Sequence, residues 1–557
     1  SRLTYVAGNA VKNAATEAAR QLLEAAAEQF NRPVEELTII NGEIGPHSGS
    51  ETDFKPVGAV VRANLYKPGG QPIVGIGNFD NPSEFPDHNR YGNESGAYNF
   101  IAQTAEVEVD PATGEVKLLE IASAVDCGTV INPATAAGQV QGGVMQGVGF
   151  ALTEYFDWWN GMPTDPQLKD YPIPGAAMVP KLHVAFADSY EPSGPFGAKG
   201  LGEIGLDAIP AVIANAIADA VGVRIFDLPI TSEKIHRALH PELYANEKAA
   251  APAAPKGGTW ARLSSGKPSG ARPFNVEFIA AKTVEEAVQL LAAGDSALVA
   301  GGMSHALRRE RTGFPQAKRL VSIMRVPELN EFSIDARGVL HAGAAVRQQA
   351  FSEEPRVKQN WQAIDDAMEG VGHTRIRRML TVGGSVGPLI GGFDLPLALL
   401  VLNARVTVAG PGGRRTLTLE EAFQKRFAKD EMVVSIDVDT PPARTGSCFY
   451  KYMARGVLEI PTVNTAAFVT LNTDGTCSGA RAVVGAVSWK PIVLDLKELA
   501  GKRLSEELLR KVVQNLRLLV EPMPDVRGSA AYKREMAVEF TARALVTAWK
   551  RAQTAKA

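Results

Sequence analysis

Cysteine is scarce: 557 residues carry three, Cys127, Cys448 and Cys477, far apart in the chain. Disulfide frameworks and iron–sulfur clusters need grouped thiols, typically about four per cluster. The chain therefore holds no iron–sulfur centre by itself. Such sparing use of cysteine fits a reducing compartment, and with no signal-peptide pattern after the opening Ser-Arg-Leu-Thr the expectation is a cytoplasmic protein. An excess of one charge is also missing. A net charge of −3 provides no basic field for nucleic acid or an anionic membrane. No apolar run is expected to reach the roughly 18 residues of a membrane span. The most hydrophobic stretch, Leu395 to Leu402, is short, follows Asp394 and reads as core. The eight histidines lack metal-ligand spacing. His236 and His240 stand one helical turn apart, but without a glutamate pattern nearby they read as packing or capping.

Glycine (53) and proline (35) are well represented, which points to many turns and glycine-lined sites. The length implies several domains. From Ala245 to Gly270 the composition shifts to Ala, Pro, Lys, Gly and Ser, which reads as an interdomain tether over 246–270. In the first half, an amphipathic pattern predicts a helix over Val11–Phe30, stopped by Asn31-Arg32-Pro33. Alternating Glu106, Val107, Glu108 and Val109 predict a hairpin over Ala105–Ile121. A second helix is expected over Ile209–Val221 with Gly222 as its C-terminal cap. In the second half a strand at Phe274–Ile279 precedes a helix from Thr283, and a strand ending at Ala300 runs into Gly301-Gly302. Ser505 reads as an N-cap, and a final helix spans Tyr532–Lys550. Both halves are α+β.

Two kinds of glycine-rich segment carry chemistry. Gly194–Gly205 gathers glycines around Lys199 and Glu203, letting backbone approach a ligand and present N–H groups to oxygen. A carboxylate in that setting would suit general-base work if buried; the bland reading is that Glu203 caps the following helix or sits on a surface turn. In the second half, Gly301-Gly302 and Gly383-Gly384 follow strand-like runs, and such turns suit a pyrophosphate or are simply tight turns. Trp158-Trp159 reads as packing, with a substrate funnel as the alternative. Arg375, Arg377 and Arg378 suit either the phosphates of a ligand or a neighbouring subunit.

GlyAlaLysGlyLeuGlyGlu, AlaValIleAlaAsnAlaIle and LeuProIleThrSerGluLysIleHisArgAlaLeu resemble the end of the molybdopterin-binding subunit of the xanthine dehydrogenase family of molybdenum hydroxylases. Ala124–Pro133, Gly138–Glu154 and the block SerGlyAlaTyrAsnPheIleAlaGlnThrAlaGluValGluValAsp match the same family in the same order. The resemblance implies that Glu203 is the general base toward a water-derived hydroxyl at molybdenum, which attacks an electron-poor carbon. It assigns Gln139, Gly202 and Ser1 to cofactor contacts, and Lys199 either to cofactor phosphate or to loop orientation. Asp126 and Asn132 are expected to shape turns, and Cys127 to be a buried small residue. The chain opens near the family protein's midpoint, so the expectation is a split gene or a processed chain, with a partner carrying the preceding half and most substrate-selecting residues.

Residues 271–551 resemble the FAD subunit of the same family, through Ala297–Leu307, Met379–Pro388, Val326–Leu329 and GlyAlaValSerTrpLysPro. The expected FAD contacts are Ala300, Gly301, Gly302, Ser304, Thr381, Gly383, Gly384, Ser385 and Asp394. The sequence departs from the family at Met303-Ser304-His305, at Arg308–Arg311 and at Leu389–Phe393. The implied architecture is the C-terminal half of a molybdopterin-binding domain (1–245), a tether, a vanillyl-alcohol-oxidase/PCMH-like FAD domain (271–440) and a small α+β C-terminal domain (441–557). The implied cofactors are molybdopterin, plain or as the cytosine dinucleotide and shared with a partner chain, and FAD. 2Fe-2S clusters are expected on a separate small chain, and the assembly as a dimer of hetero-oligomers. N-heteroaromatics, purines and aldehydes are the substrate classes left open. An inactive assembly subunit and a stand-alone flavoenzyme are the competing readings.

Overall fold

The computed structural model describes residues 2–89, 91–156, 158–159, 162–163, 171–245, 276–303, 305, 317–453 and 460–555. Ser1, Ser304, Arg308–Arg311 and the expected tether over 246–270 lie outside them. The chain divides into two compact units: 1–109, 116–155 and 179–230 form the first, and 110–115, 156–178 and 231–557 the second.

The first unit opens with a helix Leu3–Phe30 that begins a full two turns before the expected Val11. Alanine-rich sequence favours that extension, since alanine gives up no side-chain freedom in a helix. Asn31, with φ 50°, ends it in the left-handed conformation. Ala25, Ala26, Leu37, Ile44 and Val60 form a small core beneath this helix. Strands Phe100–Asp110, Glu115–Asp126 and Lys181–Phe186 form a sheet in that order, the last two parallel. Val107 and Val109 are half-buried while Glu106 and Glu108 are exposed, as alternation requires.

Helix Pro133–Leu152 starts where Asn132 accepts the Thr135 N–H at 3.1 Å and Pro133 fills the first turn. Asn132 is thus a helix cap. Helix Ile209–Val221 buries Ile209, Ile213 and Ile217 and ends at Gly222 with φ 73°. These helices meet through glycine: a Cβ on Gly147 would lie 2.5 Å from Ile209 Cβ, and one on Gly143 would lie 3.0 Å from Gly205 Cα. The glycines of the Gly138–Glu154 block therefore serve helix packing directly.

Ile204–Val221 is, among the described residues, the one stretch long and apolar enough to cross a membrane by length and composition. The reading that no apolar run reaches that length needs this correction, because it overlooked runs that tolerate Asp207 and Asp219. The stretch is two helices, Ile204–Asp207 and Ile209–Val221, hinged at Ala208. The longer has 13 residues, short of the roughly 20 a span needs.

In the second unit, strands Ser296–Val299, Arg319–Ser322 and Glu277–Ala280 form a parallel sheet in that order. Thr283 caps helix Val284–Ala292 by accepting the Glu286 N–H. A five-stranded antiparallel sheet runs Phe332–Ile334, Leu340–Gly343, Met432–Val438, Arg405–Gly410 and Gly413–Thr418. Helix Asp394–Val401 is buried along its whole length, as expected for core. A four-stranded antiparallel sheet, Thr445–Tyr452, Val463–Leu471, Cys477–Gly485 and Ile492–Asp495, packs on helix Ala530–Thr554. Ser505 and Ser529 both cap their helices through the side chain. His236 Nδ1 meets the Tyr244 hydroxyl at 2.6 Å, and His240 Nε2 meets the Pro111 carbonyl at 2.9 Å. Both histidines pack, and no group of three or more His, Cys, Asp or Glu among the described residues is placed to hold a metal. All three cysteines are buried and unpaired.

Candidate functional site

Gly194–Gly205 is built from its base upward. Asn9 of the first helix donates to the Ser193 carbonyl at 2.8 Å, and Tyr5 donates to the Ser193 hydroxyl at 2.8 Å. The chain then turns through Phe196 (φ 55°) and Gly197 (φ 86°). At Gly197 a Cβ would lie 2.2 Å from the Tyr190 ring, so only glycine fits. Lys199 is 8% exposed; its ammonium donates to Asp126 Oδ2 at 2.7 Å and to the Tyr98 carbonyl at 2.8 Å. Burial pushes the Asp126 carboxyl up, but hydrogen bonds from Lys199, Ser189 and the Gly128 N–H outweigh it and hold Asp126 below the usual range. Both bonds of the Lys199 ammonium go to protein groups, and the one to Asp126 ties the loop to the central strand.

Past Lys199 the backbone carbonyls are fastened by side-chain amides. Asn99 donates to the Gly200 carbonyl at 2.7 Å, Gln139 to Gly202 at 2.7 Å, and Gln103 to Gly205 at 3.0 Å. Gln139, Gly202 and Glu203, singled out separately in the sequence, are thus adjacent. Glu203 takes the N-cap position of Ile204–Asp207 with no side-chain capping bond, and it is exposed. Of the two bland readings of Glu203, the side-chain cap is not formed, whereas the exposed position fits a surface turn. Among the described residues, no hydrogen bond or ion pair engages its carboxylate, and the backbone that carries it is fixed. Cys127, 4% exposed, has its thiol pushed up by burial and matches the expected small buried residue.

The second unit contains a cleft of ≈ 670 Å³ whose lining includes Ala300, Gly301, Gly302, Thr381, Gly383 and Gly384. The two glycine turns are pressed together. A Cβ on Gly301 would lie 1.7 Å from the Met379 carbonyl oxygen, and one on Gly383 would lie 2.7 Å from Ala344 Cβ. Thr381 caps a short helix, Val382–Val386, by accepting the Gly384 N–H at 3.1 Å. Arg426 and Lys429 add positive charge to the lining. Size, close backbone approach and cationic lining suit the pyrophosphate of a dinucleotide.

Two expected contacts are placed elsewhere than the cleft lining. Ser385 is buried and accepts from Gln348 Nε2. Asp394 is buried against Lys451 (2.9 Å) and Asn464 (3.3 Å), and burial raises its carboxyl against the pull of Lys451. Arg377 donates to the Val371 and Gly372 carbonyls, and Arg378 pairs with Glu353. Trp158 rests edge-on against Phe156, with ring centres 5.0 Å apart, yet is 60% exposed.

Sequence reasoning missed Asn99, Gln103 and Arg347. Arg347 donates to the Met379 carbonyl at 2.6 Å beside Gly301, and burial pulls its guanidinium below its usual value. An arginine directly after the run Gly343–Val346 was its one signal. The amides had none, because their bonds to the loop span about a hundred residues.

These arrangements define molybdenum- and FAD-dependent oxidoreductase modules. Residues 1–180 match the model of a molybdopterin cofactor-binding domain, 273–441 an FAD-binding domain of molybdopterin dehydrogenases, and 448–548 a CO dehydrogenase flavoprotein C-terminal domain. The 6-hydroxypseudooxynicotine dehydrogenase complex of Paenarthrobacter nicotinovorans matches twice. Its gamma subunit is 34% identical over 42% of this chain and 29% of its own length; its alpha subunit is 30% identical over 51% of this chain and 98% of its own length. The Escherichia coli putative xanthine dehydrogenase molybdenum-binding subunit is 31% identical over 43% of this chain and 31% of its own length. A carbon monoxide dehydrogenase structure from Hydrogenophaga pseudoflava is 28% identical with a TM-score of 0.47, covering 50% of this chain and 98% of its own. The chain belongs to the molybdenum hydroxylases of the xanthine dehydrogenase and CO dehydrogenase family, with molybdopterin-binding and FAD-binding domains in one polypeptide. It spans less than a third of the length of the molybdopterin-binding relatives it matches.

Proposed function

We infer that this chain is the part of a molybdenum hydroxylase that contributes the general base and the flavin site. The bound molybdenum cofactor supplies two-electron oxidation of a substrate carbon with water-derived oxygen. Glu203 takes the proton from the water-derived nucleophile, Gln139 and Gly202 hold the backbone beside the cofactor, and Ser1 adds a contact from the chain start. The second-unit cleft would hold FAD, which would supply electron transfer, with 2Fe-2S clusters expected on a partner chain. A second partner carries the preceding half of the molybdopterin-binding region, and the assembly is a cytoplasmic dimer of hetero-oligomers. Domain limits of 1–245, 271–440 and 441–557 accompany this reading, with Ser304, Ser385 and Asp394 as further flavin-site residues. N-heteroaromatic substrates come first, ahead of purines and aldehydes, because two subunits of one complex with a nicotine-derived substrate in its name each resemble part of this chain.

The observation that carries this reading is the exposed, unengaged Glu203 carboxylate on a loop whose carbonyls are tied down. The test is Glu203→Gln in the assembled complex. Molybdenum and FAD contents are expected to match the parent while turnover falls by about 10²–10⁴-fold. Unchanged turnover would refute the role. A complex free of molybdenum would favour the assembly-subunit alternative, and full activity of the chain alone the flavoenzyme alternative.

A further inference from the structure

The amide side chains of Asn99 and Gln103 reach the glycine loop from the strand Phe100–Asp110 and the residue just before it. Asn99 bridges the Asp126 and Gly200 carbonyls, at 3.2 and 2.7 Å. Gln103 bridges the Ser123 hydroxyl and the Gly205 carbonyl, at 2.9 and 3.0 Å. Each therefore joins the central strand Glu115–Asp126, or its end, to one side of Glu203. With Gln139 on Gly202, the backbone is gripped before, at and after the residue that precedes the carboxylate. Gln103 does this at a cost, because its Oε1 is buried with no hydrogen-bond partner. A buried acceptor left unpaired is unfavourable, and an apolar side chain of similar shape avoids the penalty. The two bonds that the same amide donates, to the Ser123 hydroxyl and the Gly205 carbonyl, offset that cost, so its distinctive contribution is a donor aimed at the loop.

We propose that Asn99 and Gln103 are positioning residues for Glu203, clamping the loop carbonyls so that the carboxylate is presented in one place. The inference rests on the general-base reading for its effect on turnover and on the geometry alone for its effect on the loop. A glycine-rich segment has the largest conformational freedom to lose, so external clamps are what hold its shape. Small displacements of a reacting group cost rate steeply.

The test uses Gln103→Met and Asn99→Asp in the full chain and in the assembled enzyme. Gln103→Met removes the clamp and the orphan acceptor together. Asn99→Asp keeps the size and turns a donor into an acceptor facing two carbonyls. Amide hydrogen exchange of the peptide covering 194–206 is expected to speed up roughly tenfold in each. The Tm of Gln103→Met should stay within about 2 °C of the parent or rise. In the assembled enzyme kcat should fall roughly tenfold with KM unchanged. Unaltered exchange in both variants overturns the clamp. So does a kcat loss in Gln103→Met that only accompanies a lowered Tm, since that marks a merely structural residue. Exchange is read without turnover, so this outcome stands apart from the fate of Glu203→Gln.

Discussion

The two glycine-bearing sites of this chain are made in opposite ways. The loop around Glu203 is held from outside, by Asn99, Gln103, Gln139 and the Lys199–Asp126 pair, and its carboxylate is exposed. The glycine turns of the second unit are held by backbone pressed on backbone: Gly301 against Met379 and Gly383 against Ala344, around a cleft lined by that unit alone. Glycine in the first site gives shape to a loop that other residues must fix. In the second it permits an approach that any side chain would block. The first is an exposed loop that carries a carboxylate, while the second is a pocket within one unit.

Beyond the loss of turnover expected of Glu203→Gln, the largest effect should come from Gly301→Ala. Its Cβ would need to occupy space 1.7 Å from a backbone oxygen, so the turn must move, and FAD affinity should drop about 100-fold or more by flavin fluorescence titration, on the order of 3 kcal/mol. Gly302→Ala is the sharpening control: nothing lies within 4 Å of its Cβ, and only its φ of +80° opposes the change. That costs about 1–2 kcal/mol of stability. Equal losses in the two would break the claim that close approach, not conformation, makes the second site.

Next in size is the contrast between buried ion pairs. Lys199→Met leaves Asp126 partly buried without its cation and should destabilise the first unit by about 2–3 kcal/mol in urea unfolding, somewhat under the cost of breaking a fully buried pair. Its exchange effect should concentrate on 194–206, whereas Lys451→Met should act on the helix Asp394–Val401. A uniform response of the whole chain to Lys199→Met would argue against a local tether.

The smallest expected effect, and the most diagnostic, is in pH. Asp126 is held below its ordinary value of 3.8 and Asp394 is pushed above it. For Asp126 the unfolded chain binds the proton first, so its stabilisation is present above the unfolded value and is lost as pH falls through the lowered one. For Asp394 the folded chain binds the proton first, so stability rises as pH falls from the raised value towards 3.8. Exchange protection should therefore strengthen around Asp394 as pH falls towards 3.8 and weaken around Asp126 as it falls further, and Asp→Asn at either site should flatten its own trend. Parallel trends would contradict the assignment.

The elements with local signals were legible in the sequence. Ile209–Val221 carries an apolar stripe and a terminal glycine, and Thr283, Ser505 and Ser529 are caps whose chemistry is written within three residues. Elements that depend on distant partners were not. Val382–Val386 reads as a loop because glycine is a poor helix former, yet Thr381 caps it and Ala344 accepts from Gly383. Asp394 was expected to contact FAD because the family resemblance implies it, and the apolar run after it was expected to be core. That run is a core helix, and burying it carries the carboxylate inward to Lys451. Glu203 was found through its glycines and its family resemblance, but the amides that hold its loop come from residues about a hundred positions earlier.

The three enclosed thiols have a practical consequence. Cys127 follows Asp126 at the end of the loop's anchoring strand, and Cys448 and Cys477 lie on two strands of one four-stranded sheet in the second unit, all sheltered from solvent. Alkylating reagents will reach each sulfur only when its surroundings open. Timed labelling followed by peptide mapping thus gives separate opening clocks for the two units, using reporters that the native sequence already contains.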